Sequence, residues 1–350
     1  MDSHQWKLVK RPVGLPAADD FSYEVVELPP LAEGEVRVTN EFVSVDPYMR
    51  GRMNDMKSYI APFELGKTML GGAVGRVIES RSPDFATGDV VEHMYGWRDV
   101  AQAKASHFTK RAELPGLPTS VYLGALGVPA LTAWIGLFVV AELKAGEAVF
   151  VSGAAGAVGT AVGQLAKLHG ASRVIGSAGS QAKIDRITTK YGYDVAFNYK
   201  DGKVARQLAA AACIDYKNED IGKGLSKYCP KGIDVYFDNV GGDHLEAAIY
   251  AMNTGGRAAI CGSISSYNAE SMPPGPRNLW MLTTKSLTLK GFTIPSMTHH
   301  TEAFRAEVAP LVASGAFAWD ETIVDGVDNT LEAFYGLMRG ENTGKMLVRI

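Results

Sequence analysis

The sequence predicts an α/β protein in which a small β-rich domain leads into a doubly wound parallel sheet with helices on both faces. Three observations carry that expectation. The chain has 350 residues, room for two or three domains at roughly 100–200 residues each. Its first 120 residues read as short strands broken by turns, and from residue 147 strands alternate with helical segments. That alternation is what a parallel sheet covered by helices requires.

Taken in order, residues 35–45 (EVRVTNEFVSV) alternate apolar and polar side chains and are rich in β-branched types, as in a half-buried strand. Shorter β runs at 73–78 and 89–92 are bounded by Gly71-Gly72 and Gly88-Asp89. Pro29-Pro30, Pro62, Pro83, Pro115 and Pro118 punctuate the region, and no long segment has a helical period. Residues 121–141 (VYLGALGVPALTAWIGLFVVA) then run without a charge, long enough on paper to span a bilayer. Gly124, Gly127, Pro129 and Gly136 interrupt the run, and no other segment resembles it. A buried helix with its lead-in loop is expected, and no membrane association.

Strands are next expected at 147–152 and 173–177, each followed by a helix, at 158–168 and 182–190. Later strand candidates are 233–239, 257–262 and 286–292, with a last one at 343–350. One internal echo stands out. Residues 196–208 and 213–225 align at a period of 17, matching Tyr199 with Tyr216, Lys200 with Lys217 and Leu208 with Leu225. Two copies are too few for a solenoid, and a helical insertion beside the sheet is the reading preferred.

Composition excludes several function classes. Hydrophobic residues make up 46% and charged residues 21%, the balance of a globular protein. The net charge is −3, without a block of like charges, which argues against a nucleic-acid partner or a polybasic membrane contact. Cys213, Cys229 and Cys261 are too few and odd in number for a disulfide framework, fitting a reducing, cytoplasmic compartment. Residues 1–12 carry charges but no apolar run, so no secretory leader is expected.

The strongest chemical signal is SGAAGAVG at 152–159, between a strand and a helix. Glycines there let the backbone approach a pyrophosphate whose charge sits at the helix N-terminus. The spacing is G-x-x-G-x-x-G rather than G-x-G-x-x-G, and a tight turn with glycines for packing alone is the competing reading. An acid about 20 residues further on would read a ribose 2′-hydroxyl. That place is Gly176-Ser177-Ala178-Gly179-Ser180, with no acid, and Lys183 follows. An acid would repel a 2′-phosphate, whereas small residues and Lys183 admit one, although Lys183 could equally be an ordinary surface lysine. The cofactor expected is NADP(H).

Five motifs, VDPYMRGRM at 45–53, AAGAVG at 154–159, NYK at 198–200, FDNVGG at 237–242 and ENTGKM at 341–346, resemble the zinc-independent leukotriene/prostaglandin reductase family. It is a branch of the medium-chain dehydrogenase/reductase superfamily that includes alkenal double-bond reductases and curcumin reductases. The resemblance covers nearly the whole chain. It implies a GroES-like catalytic domain formed by 1–125 and 310–350, a Rossmann domain at 126–309, an active site in the cleft between them, and a homodimer formed through the cofactor domain. Zinc-bearing relatives carry Cys where this chain has Asp46, and Gly-His-Glu where it has Gly71-Gly72-Ala73. No cysteine precedes Cys213, His93, His107, His169 and His244 are scattered singly, and the pair His299-His300 lacks further ligands nearby. No metal is expected.

The implied reaction is NADPH-dependent reduction of the carbon–carbon double bond of small α,β-unsaturated aldehydes and ketones. Hydride at the β-carbon leaves an enolate oxygen, which a hydroxyl donor can stabilise. Tyr48 and Tyr267 are the expected donors, with packing and an ordinary hydrogen bond as the competing reading for each. The resemblance maps cofactor contacts onto Gly156, Ala157, Val158 and Gly159 for the pyrophosphate, Lys183 and Tyr199 for the 2′-phosphate, and Asn239 for the ribose. It also maps onto Cys261, Ser263, Ile264, Ser265, Tyr267, Phe292, Thr293 and Ile294 near the nicotinamide, and onto Asn342 at the cleft. Tyr216 competes with Tyr199 because of the echo. Met49, Met53, Tyr59, Met94 and Tyr95 are candidates to wall the substrate pocket. Competing functions are quinone reduction, oxidation in the reverse direction, and NADPH binding without turnover.

Overall fold

In the computed structural model, residues 1–213 and 232–350 are described. Tyr216, Cys229 and nearly all of the second half of the echo lie outside them. The chain divides into two units, Met1–Gly127 with Asp320–Ile350, and Val128–Trp319.

The first unit is built on strands. β1 (Asp2–Leu8) and β2 (Phe21–Glu27) form an antiparallel pair that no sequence signal had singled out. β3 (Glu35–Ser44), β4 (Ala73–Ser80), β5 (Val90–His93), β6 (Val100–Lys104) and β7 (Thr109–Arg111) make most of a larger sheet. It is completed by β14 (Glu321–Asp325) and β15 (Lys345–Arg349), in the order β14-β15-β3-β4-β5-β7, with β6 also paired to β3. The chain end thus returns as a strand antiparallel to β3. Within this unit the five-residue helix α1 (Tyr48–Arg52) and the helix α9 (Thr330–Met338) contribute to one apolar core holding Met49, Met53, Trp97, Phe334 and Met346.

The second unit holds six parallel strands: β8 (Ala148–Val151), β9 (Arg173–Ala178), β10 (Val195–Asn198), β11 (Ile233–Asp238), β12 (Met252–Ile260) and β13 (Thr288–Gly291). Their order is β10-β9-β8-β11-β12-β13, all parallel. Val149, Phe150 and Val151 are fully buried, as expected of a central strand covered on both faces. The helices are α2 (Val128–Ile135), α3 (Ala157–Leu168), α4 (Gln181–Lys190), α5 (Val204–Cys213), α6 (Gly242–Ala251), α7 (Met281–Thr284) and α8 (Thr301–Ala313). The order reverses between β8 and β11. Such a switch point opens a crevice at the carboxyl ends of the strands, where this architecture binds its ligands.

Two expectations are refined. The apolar run resolves into a 3₁₀ turn (Thr119–Leu123), α2, and a π turn (Gly136–Val140), and 78% of its most apolar window is buried. The return to the first unit falls at Asp320 rather than 310. Residue 310 lies within α8, whose Phe304, Val308 and Val312 recur every four residues and are buried with the second unit.

Candidate functional site

The glycine turn that follows β8 is shaped by two backbone demands. Gly153 has φ of 61°, the left-handed region that a side chain disfavours. Gly159, in the first turn of α3, has no room for a Cβ, which would lie 2.5 Å from the Gly153 oxygen and 2.6 Å from the Ala154 Cα. Helix and strand therefore meet at backbone contact. A Cβ at Gly156 would touch only the Gly153 oxygen, at 3.4 Å, so the crest of the turn is open. The N–H groups of Ala157, Val158 and Gly159 open the helix, where donors lack intrahelical acceptors and the dipole favours an anion. Such a turn fits a pyrophosphate.

At the end of β9 the chain opens onto a cationic corner. Ser180 caps α4, its hydroxyl accepting from the Lys183 N–H at 3.4 Å. A Cβ at Gly179 would lie 3.1 Å from the Tyr199 hydroxyl and 3.4 Å from Lys200 Cε, so the three residues share one small space. The Lys200 ammonium sits 6.0 Å over the Tyr199 ring. Burial and the neighbouring Lys200 charge lower the pKa of the Lys183 ammonium. Two lysines held together on one edge create a local excess of positive charge that fits a phosphate. Lys200 belongs to the NYK motif, but 17 residues of chain separate it from Lys183, so the sequence gives no sign that the two meet. His244 packs edge-on against Tyr199 at 5.4 Å, at an interplanar angle of 72°.

The carboxyl end of β11 is fixed by a buried carboxylate. Asp238 Oδ1 accepts from Tyr236 Oη at 2.6 Å, Ser152 Oγ at 3.0 Å, and the N–H groups of Val240 and Gly241 at 2.9 and 2.8 Å. Asn239 Nδ2 donates to the Ser152 oxygen at 2.8 Å, tying β11 to the phosphate turn. Beyond β12, Ile264–Ser266 form a 3₁₀ turn, and the Tyr267 hydroxyl oxygen accepts from the Ser263 N–H at 3.4 Å. Ser265 Oγ donates to the Val240 oxygen at 2.6 Å. Cys261 is no reactive thiol, since burial and the nearby Asp238 charge push its pKa up to about 12. Beyond β13, Phe292 meets Phe237 edge-on at 6.3 Å, and Thr293 and Ile294 open the next turn. Every cofactor candidate of the second unit thus follows the carboxyl end of one of its strands.

Asn342 belongs to the first unit. It is buried, and its Nδ2 donates to the Gly344 oxygen at 2.8 Å. That bond lies within the ENTGKM turn before β15.

Tyr48 opens α1 in the first unit. Burial, chiefly, and then the Asp46 carboxylate raise its pKa well above the ordinary phenol range. Asp46 is itself held: Lys345 Nζ donates to its Oδ1 at 2.9 Å, and Ser44 Oγ donates to its Oδ2. Lys345 also donates to the Val45 and Met346 oxygens, at 3.0 and 3.1 Å. Of the pocket-wall candidates, Met49 and Met53 are fully buried in the core, with Trp97 Nε1 donating to Met49 Sδ at 3.3 Å. They wall no open pocket. Tyr59 and Met94 are exposed. Among the described residues no three His, Cys, Asp or Glu side chains gather to hold a metal ion.

Comparison with known proteins places the chain. Two family models match it: the N-terminal domain of oxidoreductase over residues 4–110, and zinc-binding dehydrogenase over 157–314. It is 38% identical to the NADPH-dependent curcumin reductase of Escherichia coli, covering 99% of this chain and 97% of that one. It is 37% identical to the 2-alkenal reductase (NADP(+)-dependent) of Nicotiana tabacum, covering 96% and 94%. The crystal structure of CurA in complex with NADPH from Vibrio vulnificus superposes with a TM-score of 0.89 at 36% identity, covering 99% and 98%. The chain belongs to the zinc-independent prostaglandin and alkenal reductase family of medium-chain dehydrogenases/reductases.

Proposed function

We propose that this member of the family reduces the carbon–carbon double bond of α,β-unsaturated aldehydes and ketones, with phenol hydroxyls stabilising the enolate. The coarser statement needs no proposal: the chain is an NADP-dependent oxidoreductase acting on carbon–carbon double bonds.

In this reading the α3 N-terminus and Gly156 to Gly159 hold the pyrophosphate. Lys183, Lys200 and Tyr199 take the 2′-phosphate, and Asn239 lies at the ribose. The turns at 261–267 and 292–294 flank the nicotinamide. Bound NADPH supplies hydride to the substrate β-carbon. Negative charge then develops on the substrate oxygen, where a hydrogen-bond donor lowers the barrier. Two phenols are suited to donate. Tyr267 follows the turn after β12, and its hydroxyl oxygen accepts from the Ser263 N–H. Tyr48 has a raised pKa, so it holds its proton at neutral pH. The enolate α-carbon takes a proton from solvent, completing addition of one hydride and one proton across the double bond.

The observation that carries the reading is the half-buried Tyr48 phenol beside an Asp46 carboxylate that Lys345 neutralises. A phenol so placed can donate but cannot act as a base near neutrality. We also propose a cytoplasmic homodimer, paired through the β13 edge. That strand is the sheet's last among the described residues, and such an edge offers unpaired backbone groups to a second copy.

The experiment is NADPH consumption with 2-alkenals, 2-alkenones and curcumin, with NADH and a quinone run in parallel and products identified. Saturated aldehydes or ketones are expected, with NADPH preferred. Turnover with the quinone alone would overturn the reading in favour of quinone reduction. Tight NADPH binding without turnover of any substrate would overturn the roles of Tyr48 and Tyr267.

A further inference from the structure

Two arginines leave α1, and they live in different surroundings. Arg50 is saturated by the chain around it. Its guanidinium donates to the Gly14 oxygen at 2.7 Å and to Asn54 Oδ1 at 2.7 Å, and Asp20 contributes a favourable charge. Arg52 is also buried, but among the described residues no carboxylate pairs with it. Its Nε donates to the Ala61 oxygen at 2.9 Å and its Nη1 to the Leu70 oxygen at 3.5 Å, and its plane lies 4.1 Å over the Phe63 ring. Those contacts fix the fork without neutralising it.

Arg52 stands four residues after Tyr48 on the same helix, the spacing that puts two side chains on one face. The guanidinium accordingly lies beside the Tyr48 hydroxyl, and the Tyr59 phenol is near enough for the two to feel each other's charge. A guanidinium has only donors. Toward a phenol it can face only the oxygen, which turns the phenol's own proton away from it. A cation on the oxygen also strengthens the O–H as a donor to a third group. A buried positive charge with no anion of its own is, in addition, a stabiliser for negative charge that appears nearby.

We infer that Arg52 is a positioning residue for the reaction. It orients the Tyr48 hydroxyl so that its proton points to the substrate oxygen, and its uncompensated charge is neutralised as the enolate forms. This rests on the assignment of Tyr48 as donor. It adds that the donor is a two-residue unit, phenol and guanidinium, held by the stack on Phe63 and the Ala61 carbonyl.

The test is a double-mutant cycle on the full-length enzyme, with NADPH affinity measured on each variant as the check that cofactor binding is intact. R52K keeps the charge and loses the planar fork. It should lower kcat about 10–100-fold at unchanged NADPH Kd, and in a Y48F background it should cost no further loss. Losses that multiply between the two positions would assign Arg52 a structural role and overturn the inference. So would R52K at full rate while Y48F is slow. Y48F at full rate would overturn the donor assignment itself, and the inference with it. Should R52K fail to fold, F63L loosens the guanidinium without removing it. F63L should lower kcat several-fold in the wild-type background and not at all in Y48F, and a loss of equal size in both backgrounds would overturn the inference.

Discussion

The carboxyl edge of the parallel sheet and the short helix α1 prepare for charge by opposite means. At the sheet edge the main chain does most of the work. Gly153 turns where a side chain is disfavoured, Gly159 lets the helix close onto the strand, and the N–H groups of α3 face outward. At α1 the backbone supplies only a spacing: Tyr48 and Arg52, four residues apart, share a face, and the Asp46 carboxylate just before the helix acts on the phenol. The first arrangement leaves no room for a side chain at Gly159 and disfavours one at Gly153. The second, in the proposed reading, serves a developing oxyanion and depends on side-chain spacing.

That contrast gives four predictions. The largest effect belongs to α1. Y48F should lower kcat about 100-fold, the range for removal of one oxyanion donor, while NADPH Kd stays unchanged. Loss of cofactor affinity in this variant would break the separation between the two regions, and stopped-flow turnover with fluorescence titration measures both. Next comes G159V. Its Cβ would sit 2.5 Å from one backbone atom and 2.6 Å from another, neither of which can swing aside. Overpacking of this kind costs about 1–3 kcal/mol, so a lowered Tm with loss of NADPH binding is expected, and an unchanged Tm would contradict the close approach.

The cationic corner is third. K183A and K200A should each reduce the preference for NADPH over NADH about tenfold, in keeping with ~1.5–3 kcal/mol for a hydrogen bond to a charged group. Only the NADPH side of the ratio should move, and salt should weaken it. The smallest effect is on pH. Because burial and Lys200 lower the Lys183 pKa, its ammonium is lost on the alkaline side earlier than an ordinary lysine's. NADPH affinity should therefore be full at neutral pH and fall on the alkaline side, earlier than it would for an ordinary lysine. In K200A that fall should shift to higher pH, and a shift in the other direction would show that the two lysines do not share one field.

How much of this was legible in the sequence divides along the same line. The phosphate turn was legible because its requirement is local: strand, glycines and helix follow one another within about a dozen residues. Lys183 and Lys200 are 17 residues apart on separate elements, so only the fold joins them. At α1 the residues were read and the geometry was not. Five residues are too short for a periodic pattern, and one motif carries two i, i+4 pairs. Met49 and Met53 face the core, whereas Tyr48 and Arg52 share the other spacing. Met49 and Met53 were therefore pocket-wall candidates and Arg52 had no role, because the motif by itself does not show which of its two spacings packs into the core. Asn342 was placed by resemblance at the cleft, and its Nδ2 donates to the Gly344 oxygen in the turn before β15. The Tyr199–Tyr216 choice has one member outside the described residues, while Tyr199 shares its corner with Lys200 and Gly179.

The central claim is that charge is stabilised on an oxygen conjugated to the carbon that receives hydride. NADPH carrying deuterium at the transferred position, turned over with a 2-alkenone and followed by NMR of the product, tests it most directly. Deuterium at the β-carbon of a saturated ketone is the result predicted. Deuterium on the carbonyl carbon, in an allylic alcohol, would contradict the account, because hydride would then have gone to the carbon whose oxygen the phenols are assigned to stabilise as an enolate.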